Sequence, residues 1–555
     1  MSTKRLAIFA GVAFMAFLAF FLLTQIGVTN AGEGTRAQGD YQTAANCADC
    51  HPDNYDNWTE TAHARVFDSD TGFYQSWSNR SPPFPKSCTK CHVIGWNLTS
   101  VQGYDPAQAW NSTYNTPKLG IQCENCHGPD PMNNTERSNW GLLMNSSVCG
   151  TCHQGSHHPY YPEWQDSSHA NDPPAFVKQL ACARCHEAYS AAMYLEGVEP
   201  TSLPPNPIWQ ITCATCHDPH SEENEYQLRT PPQNLCGTCH TSEGTEPEDG
   251  AVHHPMLEMR QGTANVPVPS SQTMSEVMCQ NCHKFVSETP RMSGHDFVQR
   301  PEACAECHNG VTVWDMNEAQ AENTIEFWQL STENNLEHAR VELDAAWLSL
   351  NQATTLDFDT TTRVLANTYY LQANYSANFV EADGSMGAHN YQYANSLISF
   401  ANLKAGQVVV MLTPGTVSGQ VVDASGNGVS GVQIMIGTST KVWATTGADG
   451  SFSFPHAPGS FNLRLVKDGK DSGSAQAIVM GGQTTELSKI SLSSGAGTGP
   501  AQTSSTDTMQ LLNTLLIVIA IVLILVTMMV SRKKPSAVEP REISEPAPPP
   551  AEKQQ

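Results

Sequence analysis

Apolar positions divide this chain into stretches of different period. From 317 to 353 they recur at helical spacing, at Ile325, Trp328, Leu336, Ala339, Leu343, Ala346 and Leu350. Residues three, four and seven apart share one helix face, so the spacing predicts a long helix with one buried stripe. Further helices are predicted over about 361–381 and about 390–403. From 415 to 493 the period shortens to two. Gly, Ser, Thr and Val dominate there, and the short runs 417–422, 432–436, 441–446, 451–454, 461–466, 475–479 and 484–490 alternate. Turn signals at Ser425-Gly426-Asn427-Gly428, Ala448-Asp449-Gly450 and Lys467-Asp468-Gly469 separate them. Short strands at this spacing predict an all-β sandwich. Two stretches are apolar throughout. Residues 6–23 follow Lys4 and Arg5 and precede the small-residue site Thr29-Asn30-Ala31, so 1–31 reads as an export signal or an N-terminal anchor. Residues 511–530 are interrupted only by Asn513, Thr514 and Thr527 and are followed by Arg532, Lys533 and Lys534. They predict a transmembrane helix over 509–531, a linker over 494–508 and a cytoplasmic tail over 532–555.

Between 45 and 310 a repeated motif takes over from apolar period. Cys-x-x-Cys-His occurs nine times: Cys47, Cys50, His51; Cys88, Cys91, His92; Cys123, Cys126, His127; Cys149, Cys152, His153; Cys182, Cys185, His186; Cys213, Cys216, His217; Cys236, Cys239, His240; Cys279, Cys282, His283; Cys304, Cys307, His308. All 18 cysteines are used. The motif is the signature of covalent c-type haem attachment. Two thiols bond the two vinyl groups of one haem, and the adjacent imidazole is held beneath the iron. Zinc sites and disulfides also use paired cysteines, but neither explains a histidine after every second one.

Composition fits such a domain. Only 39% of residues are hydrophobic. Porphyrins would supply the buried surface that side chains do not, giving a haem-packed, mainly α and irregular domain over 45–310 with a helical segment over 311–408 packed on it. The net charge of −25 argues against a nucleic-acid partner, for which a basic footprint is expected. Redox protein partners or small substrates remain.

The segment Cys47–His51, then Tyr55, Trp58, and Thr61-Ala62-His63-Ala64, resembles the opening of the cytochrome c554 family and its multihaem relatives, including octahaem hydroxylamine oxidoreductases. Gly120–Pro129, Ser167-Ser168-His169-Ala170, Cys213–His220, Ser293–Phe297 and Gly387–Asn390 fit the same superfamily. The resemblance covers roughly 45–405. It implies a multihaem cytochrome c fold, and it implies His63, His169, His220, His295 and His389 as distal ligands. Nine motifs rather than four or eight depart from the family pattern. Residues 419–454 resemble the carboxypeptidase regulatory-like fold, which implies a spacer or adhesive module.

Each iron has a second axial position. Ten histidines of the haem and helical regions are candidates: His63, His157, His158, His169, His220, His253, His254, His295, His338 and His389. His456 lies in the sandwich and is expected at the surface. Neighbouring residues point in different directions, so His157/His158 and His253/His254 would each give one ligand. Eight would then remain for nine irons, leaving one position open to Met, water or substrate. If both members of a pair serve, all nine close. The tyrosines Tyr369, Tyr370, Tyr375, Tyr391 and Tyr393 are expected to pack helices, although the resemblance to hydroxylamine oxidoreductases draws attention to them as possible haem cross-links.

The favoured reading is a membrane-anchored, extracytoplasmic nine-haem electron carrier. The alternative is an enzyme in which one open haem acts on a small nitrogen or sulfur compound. No Cys-x-x-Cys-Lys motif is present, so the lysine-ligated haem of ammonia-forming nitrite reductases is absent.

Overall fold

The computed structural model describes residues 41, 43–83, 85–95, 103–128, 144–204, 208–242, 247, 252–269, 276–308, 310 and 315–492. Among them no helix is long and apolar enough to cross a membrane. The predicted spans at 6–23 and 511–530, the linker and the tail lie outside the described residues. The chain forms two compact units, one of 1–354 with 359–412 and one of 355–358 with 413–555.

In the first unit most cysteine motifs sit on or beside one or two turns of helix, such as Lys86–His92, Cys123–His127, Leu180–His186, Cys279–His283 and Pro301–His308. The reason is geometric. Positions i, i+3 and i+4 share one face of a helix, so a single turn presents both thiols and the imidazole together. The turn is closed by hydrogen bonds from the amides of His51, His153, His217 and His240 to the carbonyls of Cys47, Cys149, Cys213 and Cys236, each 2.9 Å long. Reciprocal caps close the start of the Cys123–His127 turn, Gln122 with Asn125, and of the Cys213–Cys216 turn, Thr212 with Thr215.

Three long helices follow: α1 (Glu318–Ala353), α2 (Thr360–Asp383) and α3 (Tyr391–Met411). Asn317 caps α1 with Gln320 as its reciprocal partner. Thr332, Leu336, Ala339, Leu343, Ala346 and Ala353 form its buried stripe. Ala366, Ala373, Ala377 and Val380 of α2 and Ala394, Leu397, Ala401, Ala405 and Val408 of α3 are buried in turn. Small residues on these faces let the helices approach closely. Helix α3 runs past the predicted end near 403, through Gly406, because Ala405 and Val408 are buried on its inner face.

A small hairpin of β1 (Ser287–Glu288) and β2 (Arg291–Met292) lies among the motifs. The second unit is a sandwich of β3 (Gly415–Val422), β4 (Gln433–Ile436), β5 (Ala444–Thr445), β6 (Ser451–His456), β7 (Gly459–Lys467), β8 (Lys470–Val479), β9 (Thr484–Glu486) and β10 (Ile490–Ser491). One sheet has β6 antiparallel to β3, with β9 and β10 parallel to β3 on its other edge. The other is antiparallel in the order β5-β4-β7-β8. Val417, Val421, Val432, Ile434, Phe452, Phe454, Leu463 and Leu465 meet between the sheets. The run predicted at 441–446 shortens to two residues, and that at 484–490 divides into β9 and β10. His456 is not at the surface as expected. It is buried, with Trp443 and Phe461 at 4.5 Å and 4.3 Å and Nδ1 facing the Ala457 carbonyl at 2.9 Å.

Candidate functional site

Among the described residues two apolar clusters lie around the motifs. One gathers Trp77, Val93 and Tyr104 with Phe67, Phe73 and Trp110. A second gathers Met144, Ala188 and Ala192. The rest of the interior is a continuous cavity of about 5060 Å³. An ordinary small-molecule pocket holds about 300–1,000 Å³. All nine motif histidines line this cavity. So do His63, His158, His169, His220, His254, His295 and His389. His157, His253 and His338 do not line it, and each is exposed. His338 stands on α1 outside the buried stripe.

The non-motif imidazoles are placed opposite motif imidazoles. Ring centres are 6.1 Å apart for His63 and His153, 6.1 Å for His220 and His127, and 6.2 Å for His169 and His240. They are 5.8 Å apart for His254 and His186, 6.4 Å for His295 and His217, and 6.0 Å for His389 and His283. Two metal–nitrogen bonds of about 2 Å, each extended by about 1 Å to the ring centre, separate trans imidazoles by about 6 Å. His158 lies 5.8 Å from His153 and acts electrostatically on His92. No second imidazole makes ring contact with His51, His92 or His308 among the described residues.

Family models match this layout along the chain. Residues 46–128 match cytochrome c554 and c-prime, 206–245 the doubled CXXCH motif, and 250–419 cytochrome c552. Residues 416–493 match the carboxypeptidase regulatory-like domain. The chain is a multihaem c-type cytochrome. It is 28% identical over 123 residues to the multiheme cytochrome MtrA of Shewanella baltica, covering 20% of this chain and 34% of that one. It is 27% identical over 122 residues to cytochrome c-554 of Nitrosomonas europaea, covering 20% and 45%. The match thus spans between a third and a half of the length of these curated relatives. Among solved structures, the outer cell wall cytochrome OcwA aligns with a TM-score of 0.47 at 22% identity, over 66% of this chain and 99% of that one. An undecahaem cytochrome from the S-layer of Carboxydothermus ferrireducens aligns with a TM-score of 0.44 at 22% identity, over 66% and 69%.

The cytochrome's histidines suit iron. In several the Nδ1 atom is engaged: His217 with the Tyr226 carbonyl at 2.8 Å, His283 with the Phe297 carbonyl at 3.1 Å, His295 with Ser293 Oγ at 2.9 Å, His220 with Asp218 Oδ1 at 3.2 Å and His389 with Asp383 Oδ1 at 2.6 Å. Nε2 is left as the metal-facing atom, the usual division of labour in a ligating histidine. Burial, with neighbouring imidazoles adding to it, pushes His92, His153 and His240 down to about 4. Burial and then Lys284 do the same for His295. The neutral ring they favour is the ligating form. His254 holds a φ of 48°, an uncommon conformation for a residue with a side chain, and it is the member of its adjacent pair that lines the cavity.

Two devices fix His295. Glu163 accepts hydrogen bonds from the amides of Ser293 and His295 at 2.9 Å and 3.0 Å and from the Ser293 hydroxyl at 2.6 Å. Gly294 has φ of 68°, and a Cβ there would stand 2.6 Å from the Lys284 carbonyl carbon. Gly294→Ala therefore needs backbone to move and is expected to cost about 2–3 kcal/mol in a denaturant melt.

Thiols of different motifs meet in a definite order. Thiols that act directly on one another are Cys47 with Cys123, Cys91 with Cys152, Cys149 with Cys213, Cys185 with Cys239, and Cys236 with Cys279. Electrostatic neighbours add Cys126 with Cys149, Cys216 with Cys236, and Cys282 with Cys304. Named by their first cysteines, the motifs run 47–123–149–213–236–279–304, with 88 branching from 149 and 182 from 236. Sequence spacing could not show this order, because the line skips the motifs at 88 and 182 and places them on branches. Of the five tyrosines, Tyr391 lines the cavity, stacked on Trp328 at 5.8 Å. Tyr393 accepts from the Ala264 amide at 2.8 Å, and Tyr375 packs on Phe379.

Proposed function

We propose that this cytochrome carries electrons outside the cytoplasm through nine covalently attached haems, between a membrane redox partner and an external acceptor or donor. The supporting observation is the unbroken line of motifs, in which the thiols of each act on those of the next beside one continuous cavity. Each haem supplies a one-electron iron couple. The chain supplies the rest. Eighteen thiols hold the porphyrins, and the motif histidines take one axial position. His63, His169, His220, His254, His295 and His389 would supply the second ligand at six sites, and His158, 5.8 Å from His153 and acting on His92, would supply one more. Two imidazoles close an iron to substrates and favour carriage over turnover. Export places the main body outside, the helix over 509–531 holds it at the membrane, and redox proteins dock on an acidic surface.

A second reading draws on His51 and His308, which stand at the two ends of the line and make no ring contact with a second imidazole among the described residues. An iron there would accept a small ligand, and a terminal site would act on a nitrogen or sulfur compound. Mass spectrometry and electron paramagnetic resonance of the purified protein separate the two readings. The expected mass increase is nine haems; a smaller increase overturns the count. Low-spin signals at every site with no binding of carbon monoxide, nitrite or hydroxylamine would remove the enzyme reading. A high-spin haem with turnover would remove pure carriage.

A further inference from the structure

The partners of the ligand-set histidines differ in kind. His217 and His283 face backbone carbonyls, and His295 faces a hydroxyl. His220 faces the carboxylate of Asp218, but that pair is open to water, with side chains 39% and 26% exposed. His389 faces a carboxylate sealed from solvent: the Asp383 side chain is 0% exposed. A carboxylate only accepts, so the proton must lie on His389 Nδ1 and the lone pair on Nε2, toward His283.

Asp383 breaks two local rules. It is a buried carboxylate, and it is the last residue of α2, where the helix dipole disfavours negative charge. The turn that follows is built to keep it. Gly384 takes the left-handed C-cap with φ of 70°. The Ser385 hydroxyl and amide both donate to Asp383 Oδ2, and Ser385 Oγ accepts from the His389 amide at 3.1 Å. Gly387 has φ of 92° and would place a Cβ 2.5 Å from Thr332 Oγ1. Residues 383–389 thus form one closed bracket around the Asp383–His389 contact. Broken local rules with this much support are expected where a residue serves the site rather than the fold.

We propose that Asp383 is a positioning residue that lowers the reduction potential of the Cys279–His283 haem. This rests on His389 being that iron's second ligand. Accepting the Nδ1 proton at 2.6 Å makes Nε2 a stronger donor, and the fixed negative charge favours the ferric over the ferrous iron. Burial keeps water from screening that charge. Arg260 acts on the same histidine and offsets part of it. The site is next to last on the line, so electrons pass it without resting there.

Spectroelectrochemical titration of the full haem-loaded chain tests this. Asp383→Asn is expected to leave haem mass and the number of low-spin signals unchanged. One component should move positive by about tenfold in its oxidised-to-reduced equilibrium, roughly 59 mV for a one-electron couple. Ser385→Ala is the second arm and decides the matter if the first variant does not fold. It removes a donor that shares the carboxylate, so the same component should move negative. Unchanged potentials in the variants that fold overturn the proposal. His389→Ala tests the reading beneath it separately. Conversion of one low-spin haem to high spin supports His389 as the ligand, and an unchanged spin count removes that ligand and the proposal with it.

Discussion

Replacing Cys213 and Cys216 together by serine is expected to cut the electron path in two. The motif they belong to is the middle member of the line, adjacent to Cys149 on one side and Cys236 on the other. The two branches leave from 149 and 236, so neither bypasses it. The haem mass should fall by one, and a reductant admitted at one end should no longer reduce the far group on a stopped-flow timescale. The groups on the near side should still respond. Stability should fall too. Among the described residues the protein around the cavity has two apolar clusters, and cofactor binding energy is folding energy in such a domain. The same substitution at 88 or 182 removes a branch and should leave end-to-end transfer intact. Equal loss from a branch and from the middle would contradict the order read from the thiol contacts.

Glu163→Ala is expected to cost about 3–5 kcal/mol, because three donors on the segment 293–295 lose a charged acceptor at once. Burial alone would raise the Glu163 carboxyl, but the hydrogen bonds from Ser293 and His295 outweigh it and hold the group below its ordinary range. A carboxyl depressed in the folded state stabilises the protein above the unfolded pKa, and that contribution is lost as pH falls through the folded one. The gap between the parent and Glu163→Ala should be full near neutral pH and shrink in acid. Denaturant melts at several pH values measure it. A gap that does not depend on pH would place the effect in packing rather than in the carboxylate.

Local patterns were legible and long-range choices were not. The Cys-x-x-Cys-His turns, α1 and most strands lie within one period of sequence, and their positions follow from spacing. The end of α3 was missed because Gly406 looks like a stop until the burial of Ala405 and Val408 is known. Choosing second histidines depends on which loops meet. His63 and His153 lie far apart in the chain, yet their rings oppose each other. One candidate could be set aside from the sequence. His338 falls between Leu336 and Ala339 of the α1 stripe and faces outward, so helical phase alone argued against its reaching a cavity. The adjacent pairs divide as backbone geometry suggests, with His158 and His254 lining the cavity and His157 and His253 outside it.

The contacts between thiols of different motifs also bear on how the protein can be made. Cys47 meets Cys123 and Cys149 meets Cys213 across long stretches of chain, and in each case the partner belongs to a different haem. An oxidising compartment would convert such encounters into disulfides. Each would consume one thiol from two haem sites and leave both unable to close. Haem attachment and disulfide formation would compete for the same thiols, so bonding the haems before the chain compacts would keep both sites of each pair intact.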